Sequence, residues 1–427
     1  MAPVTAGEVV RLCTMGSVDD GKSTLIGRLL HDCRLLLQDQ LAQVREASKR
    51  RGWDGLDLSL ITDGLRAERE QGITIDVAYR YFATPRRRFI LADTPGHVQY
   101  TRNTVTGASN AQVALLLVDA ERGVAEQARR HAFVASLLGV PHLVVCVNKM
   151  DRVGWSRERF AELRATLARF TSVLSFRDVT FIPVSALRGD NVVEPSANMP
   201  WYEGATLLER IETIEVAVDR DLARVRLPVQ YVIREPGVSG AAGRWYAGQL
   251  LAGLLRVGDE VAILPAGLRT SVTAIANGRP LEEAFPPMSV RVALADDIDV
   301  SRGDMIVRLG DSPAVLRELD VLVCSLSAQP LTAGSRVVLL HTTRSTPGVV
   351  DAIRYRIDVN TLEREPYVSA LGFNEIGRAS IRAASPLFYD PYRANRATGS
   401  AILVDEATNA TIAAAMILDP DDKEGSL

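Results

Sequence analysis

The 427-residue sequence has no apolar run near the ~20 residues that a bilayer-spanning helix needs. Its longest apolar runs, such as Val113 to Val118 and Leu143 to Val147, have strand length. The N-terminus, MAPVTAGEVVRLC, lacks a basic start followed by an apolar stretch, so no secretory leader is expected. There are only four cysteines, Cys13, Cys33, Cys146 and Cys324, too far apart for a metal-type pair. Reduced, buried thiols of a cytoplasmic protein are the expectation. Excess charge is lacking too: 49 Lys+Arg stand against 52 Asp+Glu, a net charge of -3, which gives no general pull toward nucleic acid. No low-complexity tract occurs, and only the polar end from Asp419 to Leu427 reads as a fraying tail.

What is present is an ordinary globular composition, 47% hydrophobic and 24% charged, long enough for two or three domains. In the first half, Val9 to Met15, Phe89 to Ala92, Ala114 to Val118, Leu143 to Val147 and Thr180 to Pro183 predict strands. Between them, Lys22 to His31, Ala125 to Leu138 and Ser156 to Phe170 predict helices. That alternation predicts a mostly parallel sheet covered on both faces. After about Asp221 the segments become short, β-branched and punctuated by Gly, Pro and Asp: Leu227 to Ile233, Val261 to Leu264, Val290 to Ala293, Met305 to Arg308, Val321 to Ser325 and Val337 to His341. Gly258-Asp259 and Gly303-Asp304 each precede an apolar run. This texture predicts β-barrels. The expected organisation is an α/β nucleotide domain over 1–222, then two all-β barrel domains over 223–315 and 316–427.

Gly16-Ser17-Val18-Asp19-Asp20-Gly21-Lys22-Ser23 matches G-x-x-x-x-G-K-[ST], between a predicted strand and a predicted helix. The glycines let the loop fold around phosphate oxygens, with backbone N–H groups and the helix N-terminus facing the anion. Lys22 is placed to reach the β- and γ-phosphates, and the Ser23 hydroxyl to ligate magnesium; Thr24 belongs to the same cradle. Asp93-Thr94-Pro95-Gly96 follows the strand Phe89 to Ala92. Asp93 is a candidate magnesium holder, and the Gly96 N–H a candidate contact to a γ-phosphate.

Asn148-Lys149-Met150-Asp151 follows the strand Leu143 to Val147. Guanine offers two donors on one edge, N1–H and the exocyclic amine, and the Asp151 carboxylate accepts both. Adenine has an acceptor at N1, which the same carboxylate rejects. The Lys149 stem can cover a base face, and Ser185-Ala186-Leu187 can present a backbone N–H to guanine O6. Gly72-Ile73-Thr74-Ile75 lies between the phosphate loop and Asp93, where Thr74 would ligate magnesium and γ-phosphate together. His97, directly after Gly96, is the candidate for orienting the hydrolytic water. Lys22, Thr74 and His97 are therefore the expected catalytic group, and Ser23, Thr74 and Asp93 the expected metal ligands. His31, His131, His142 and His341 are expected to be structural.

Together these motifs resemble the translation-factor class of GTPases, such as elongation factor Tu, over the nucleotide domain and the two following barrels. A more specific resemblance, over nearly the whole chain, is to the GTPase (large) subunit of bacterial sulfate adenylyltransferase. GSVDDGKSTLIGRLL (Gly16 to Leu30), DGLRAEREQGITIDVAYRYF (Asp63 to Phe82), DTPGHVQYTRN (Asp93 to Asn103), NMPWYEGATLLE (Asn198 to Glu209) and YRANRATGSAILVDEATNATIAAAMI (Tyr392 to Ile417) carry it. Asp20 stands where elongation factors commonly have histidine. Val98 departs from the family's usual glutamate, and Gly237 to Trp245 looks longer than its usual barrel loop. The resemblance implies GTP/GDP and Mg2+ as cofactors. It also implies a small catalytic ATP-binding partner subunit, in a heterodimer or higher assembly, which makes adenylyl sulfate and pyrophosphate from ATP and sulfate. Some relatives fuse an adenylyl-sulfate kinase; no second phosphate-loop motif occurs here, so a stand-alone subunit is expected. The rival reading, an elongation-factor-like GTPase delivering aminoacyl-tRNA, shares the fold but fits the balanced charge and Asp20 less well.

Overall fold

A computed structural model describes residues 9–36, 38–50, 56–61, 76–216, 221–234 and 243–421. The first half builds one six-stranded sheet from β1 (Val9–Met15), β2 (Ala78–Ala83), β3 (Arg88–Asp93), β4 (Val113–Asp119), β5 (His142–Asn148) and β6 (Asp178–Pro183). Their spatial order is β2-β3-β1-β4-β5-β6. β2 is antiparallel to β3, and every other pairing is parallel. Helices α1 (Lys22–Asp32), α2 (Gln38–Arg50), α3 (Thr101–Ser109), α4 (Glu126–Leu137), α5 (Arg157–Thr171) and α6 (Leu207–Thr213) connect the strands or follow them.

The near-continuous apolar strands follow from burial on both faces. Every residue of β4 and β5 is buried. Leu115, Leu117, Val144 and Cys146 share a core with Leu25 and Leu29 of α1 and Ile211 of α6. Their neighbours Ala114, Leu116, Val145 and Val147 are buried as well, so the opposite face is also covered. Each such Leu or Val side chain contributes about 1.5–3 kcal/mol relative to exposure. Because β1 lies between β3 and β4, the loops that leave the C-terminal ends of β1, β3, β5 and β6 emerge at one end of the sheet. That is where open α/β sheets build ligand sites.

Elements that sequence patterning passes over have local reasons. In β2, Tyr79 and Tyr81 point outward and only Phe82 is buried. α2 is mostly polar, and α3 is rich in threonine, a weak helix former. The short α6 starts with a Thr206/Glu209 capping box.

The chain divides into two compact units, Met1–Val216 and Ala217–Ser426. In the second, antiparallel strands wrap two separate cores. One holds Leu227, Val261, Val272, Val292 and Ile306; the other holds Val321, Leu339, Val350, Ile381 and Leu403. In the later sheet, Arg336–His341 pairs with both Ser400–Asp405 and Arg344–Ile357, which closes the ring. The predicted single strand Leu227 to Ile233 is in fact two, Arg226–Pro228 and Tyr231–Arg234. The first pairs with Met305–Val307 and the second with Arg244–Ala247, so the chain changes partners after Pro228, which has no N–H to donate. The buried Arg226 guanidinium forks onto Asp390, at 2.9 and 2.8 Å, and ties the two sheets together. Among the described residues, no helix is long and apolar enough to cross a membrane.

Candidate functional site

The turn after β1 is shaped by its glycine at the helix entry. Gly21 adopts φ 93°, and a Cβ there would sit 2.4 Å from the Asn148 side-chain nitrogen. Asp19 also has positive φ, 67°. Within this turn Lys22 is buried, and its Nζ donates to the carbonyls of Gly16 (2.9 Å) and Ser17 (2.8 Å). Burial lowers its pKa, while nearby Asp93, Asp20 and Asp19 oppose that shift. Asp20 is buried, and its carboxylate accepts the Ser17 N–H at 2.6 Å. Burial raises the Asp20 pKa against that hydrogen bond and the Lys22 charge.

β3 delivers Asp93, buried and accepting the Thr14 hydroxyl at 3.0 Å. The Thr94 N–H donates to Thr14 Oγ1 (3.3 Å), and the Thr104 hydroxyl caps the Pro95 carbonyl (3.0 Å). These bonds hold Gly96 against the phosphate loop. A Cβ on Gly96 would lie 2.3 Å from Lys22 Nζ and 2.7 Å from the Gly16 carbonyl oxygen. His97 follows, partly exposed, its Nδ1 facing the Gln99 N–H at 3.4 Å and its ring 6.0 Å from that of Tyr100.

β5 delivers Asn148, which spans the site. Its Nδ2 donates to the Asp20 carbonyl (2.7 Å), and its Oδ1 accepts the Ala186 N–H (2.9 Å). The Ala186 N–H, one candidate for guanine O6, is thus held by Asn148. Lys149 takes positive φ, 64°, and its Nζ donates to the buried Asp119 at 2.7 Å. Burial pushes Asp119 up, but the Lys149 and Glu121 hydrogen bonds outweigh it and leave the pKa lowered. Met150 is buried, while Asp151 accepts the Ser185 hydroxyl at 2.6 Å. Leu187 is exposed.

The expected site residues from Gly16 to Thr24, from Asp93 to His97, from Asn148 to Asp151 and from Ser185 to Leu187 therefore sit at strand ends, on the turns that follow them at one end of the sheet, or in the first turn of α1. Thr74 and its neighbours Gly72 to Ile75 lie outside the described residues, as do the Val98 side chain and residues 237–242 of the stretch Gly237 to Trp245. The cradle fits a phosphate: it has a buried lysine, and the Ser17 hydroxyl is buried without a partner among the described residues. Ser23 and Asp93 offer hard oxygen donors. A hydroxyl and a carboxylate are the kind of donors that a magnesium ion keeping phosphate and water ligands takes.

One histidine expected to be structural supports the phosphate turn directly. His131 of α4 is fully buried, and its Nδ1 accepts the Gly16 N–H at 3.0 Å. Burial, with the Lys22 and Arg130 charges, lowers its pKa to about 3. A neutral ring that accepts at Nδ1 carries its proton on Nε2, 3.1 Å from the Gln127 amide. That contact is satisfied when Gln127 presents its oxygen. The helical spacing of Gln127 and His131 was the only local signal.

Two family profiles match the chain: the elongation factor Tu GTP binding domain over residues 7–222, and the GTP-eEF1A C-terminal domain-like family over residues 318–418. The chain is 55% identical over 413 residues to the bifunctional enzyme CysN/CysC of Mycobacterium tuberculosis (strain CDC 1551 / Oshkosh), covering 96% of this chain and 67% of that one. It is 48% identical over 420 residues to sulfate adenylyltransferase subunit 1 of Bacteroides fragilis (strain YCH46), covering 98% and 87%. Among solved structures, the S. cerevisiae Ski7 GTPase-like domain bound to GTP aligns with a TM-score of 0.52 at 18% identity, covering 96% and 97%, a likeness of fold. With an elongation-factor-Tu-type GTP-binding domain, this chain belongs to the family of sulfate adenylyltransferase subunit 1.

Proposed function

We propose that this chain is the GTP-hydrolysing, energy-coupling subunit of a sulfate adenylyltransferase. It binds GTP with magnesium and uses hydrolysis to drive adenylyl sulfate and pyrophosphate formation from ATP and sulfate. That adenylyl transfer takes place on a smaller, ATP-binding catalytic subunit in the cytoplasm. The near-full-length identity to proteins named subunit 1 carries this reading. The supporting geometry is the Asn148 bridge, which joins the phosphate turn to the base-side turn.

In the GTP complex, Lys22 leaves the Gly16 and Ser17 carbonyls for the β- and γ-phosphate oxygens. The backbone N–H groups from Val18 to Thr24 face the phosphates and the Gly96 N–H meets the γ-phosphate, while the Gly16 and Ser17 N–H groups stay on His131 and Asp20 and hold the turn in shape. Asp151 accepts the guanine N1–H and amine, the Lys149 stem covers the base, and the turn from Ser185 to Leu187 faces O6. Ser23, Thr74 and Asp93 would hold a magnesium ion, which would supply charge neutralisation at the phosphates. His97 orients the water that attacks the γ-phosphorus. With little covalent chemistry to perform, these residues act by positioning and electrostatics. The nucleotide domain extends over 1–222, with barrels over 223–315 and 316–427.

Reconstitution tests this. With the small catalytic subunit present, GTP should raise adenylyl sulfate yield, and ATP plus sulfate should raise the GTPase rate. A yield indifferent to GTP, with a GTPase rate indifferent to sulfate, would overturn the coupling role.

A further inference from the structure

The turn Ser185-Ala186-Leu187 is held from three directions. Asn148 Oδ1 takes the Ala186 N–H at 2.9 Å, and Asp151 Oδ1 takes the Ser185 hydroxyl at 2.6 Å. The third hold comes from α1. Arg28 Nε donates to the Ala186 carbonyl at 3.1 Å, and Nη2 donates to the Leu187 carbonyl at 2.6 Å. Its remaining Nη1 faces Asp32 Oδ1 at 3.3 Å, one helical turn on. Neither carboxylate nor backbone alone could grip two successive carbonyls; a planar forked donor can, and a lysine ammonium cannot span both in the same way.

A trans peptide points its C=O and N–H in opposite directions. Fixing the Ala186 oxygen therefore fixes the direction of the Leu187 N–H on the same peptide. Fixing the Leu187 oxygen likewise fixes the Arg188 N–H, which donates to Ser185 Oγ at 3.2 Å. Arg28 also stands six residues after Lys22 on the same helix, so one rigid element sets the phosphate turn and the base-side turn relative to each other.

We infer that Arg28 is a positioning residue for nucleotide selectivity: by holding the carbonyl side of the Ser185–Leu187 turn, it aims the Leu187 N–H at an oxygen on C6 of the purine. It touches no part of the nucleotide. This inference rests on the guanine-site reading above and extends it to a residue that none of the nucleotide motifs contains.

The test pairs Arg28→Met, which keeps the aliphatic stem, and Arg28→Lys, which keeps the charge, with equilibrium binding of three probes. GDP carries O6, 6-thio-GDP replaces it with a poor acceptor, and IDP keeps O6 but lacks the 2-amine read by Asp151. In Arg28→Met, GDP should weaken about tenfold or more and 6-thio-GDP by no more than about threefold, so that the penalty for sulfur shrinks. Arg28→Lys should fall between Met and the parent. The GDP-to-IDP ratio should stay at the parent value, because the amine contact is untouched. Equal weakening of all three probes, or a shifted GDP-to-IDP ratio, would mean that Arg28 only supports the fold and would overturn the inference; so would unchanged GDP binding. A parent protein that fails to prefer GDP over ADP would overturn the guanine reading itself, and the inference with it.

Discussion

Replacing His131 perturbs the phosphate turn from beneath, through the Gly16 N–H that its ring accepts. The His131 ring supplies the sole side-chain hydrogen bond described for the Gly16 N–H, at 3.0 Å and fully buried. His131→Ala leaves that donor without an acceptor, a cost of about 1–3 kcal/mol. If the turn relaxes to satisfy it, the cost is transferred to nucleotide binding as roughly a 5- to 150-fold loss of GDP affinity. His131→Asn can place Oδ1 near the position of Nδ1, and should bind GDP within about fivefold of the parent.

The same ring makes a pH prediction. Its folded pKa of about 3 lies well below the ordinary histidine value of about 6.5. The unfolded chain therefore takes up a proton that the native state refuses. The stability from the neutral ring is fully present above about pH 6.5 and is lost as pH falls toward 3, at up to about 1.4 kcal/mol per unit. Between about pH 7 and about pH 5.5, denaturant unfolding of the nucleotide domain should lose roughly 1 kcal/mol more in the parent than in His131→Asn. GDP affinity in His131→Ala equal to that of the parent, or an Asn variant no better than the Ala variant, would refute the reasoning.

Asp151→Asn should weaken GTP by about 100-fold and shift preference toward xanthosine triphosphate, because the guanine donors lose their carboxylate; competition binding reads both. His97→Ala should slow GTP hydrolysis by roughly 100-fold or more while GTP affinity changes by less than about threefold, so that single-turnover kinetics separate a water-orienting residue from a structural one. Gly96→Ala drives a Cβ to within 2.7 Å of the Gly16 carbonyl oxygen and 2.3 Å of Lys22 Nζ. It should cost GTP affinity more than GDP affinity, which paired titrations of the two nucleotides check.

The strands most legible as apolar runs are the two buried on both faces. β4 and β5 read as unbroken apolar runs because nothing in them meets water. β2 escaped because its tyrosines face outward, and α2 and α3 because polar and threonine-rich segments form helices only with tertiary support. The nucleotide motifs were legible because each is contiguous and sits at a strand end. His131 and Arg28 were not, because their acceptor and donor roles join positions separated by 115 and 158 residues. Only folding brings a mid-helix histidine under the Gly16 amide, or a mid-helix arginine onto the Ala186 carbonyl. In the second unit, Leu227 to Ile233 looked continuous, since composition carries no record of which neighbour each half pairs with.

The most direct test of the whole account is an equilibrium titration of the purified chain with GDP, GTP and ADP in the presence of magnesium. The site described here predicts saturable binding of one guanine nucleotide per chain, with a preference over ADP of about 100-fold or more. A folded protein that binds GDP and ADP alike, or binds no nucleotide, would contradict it.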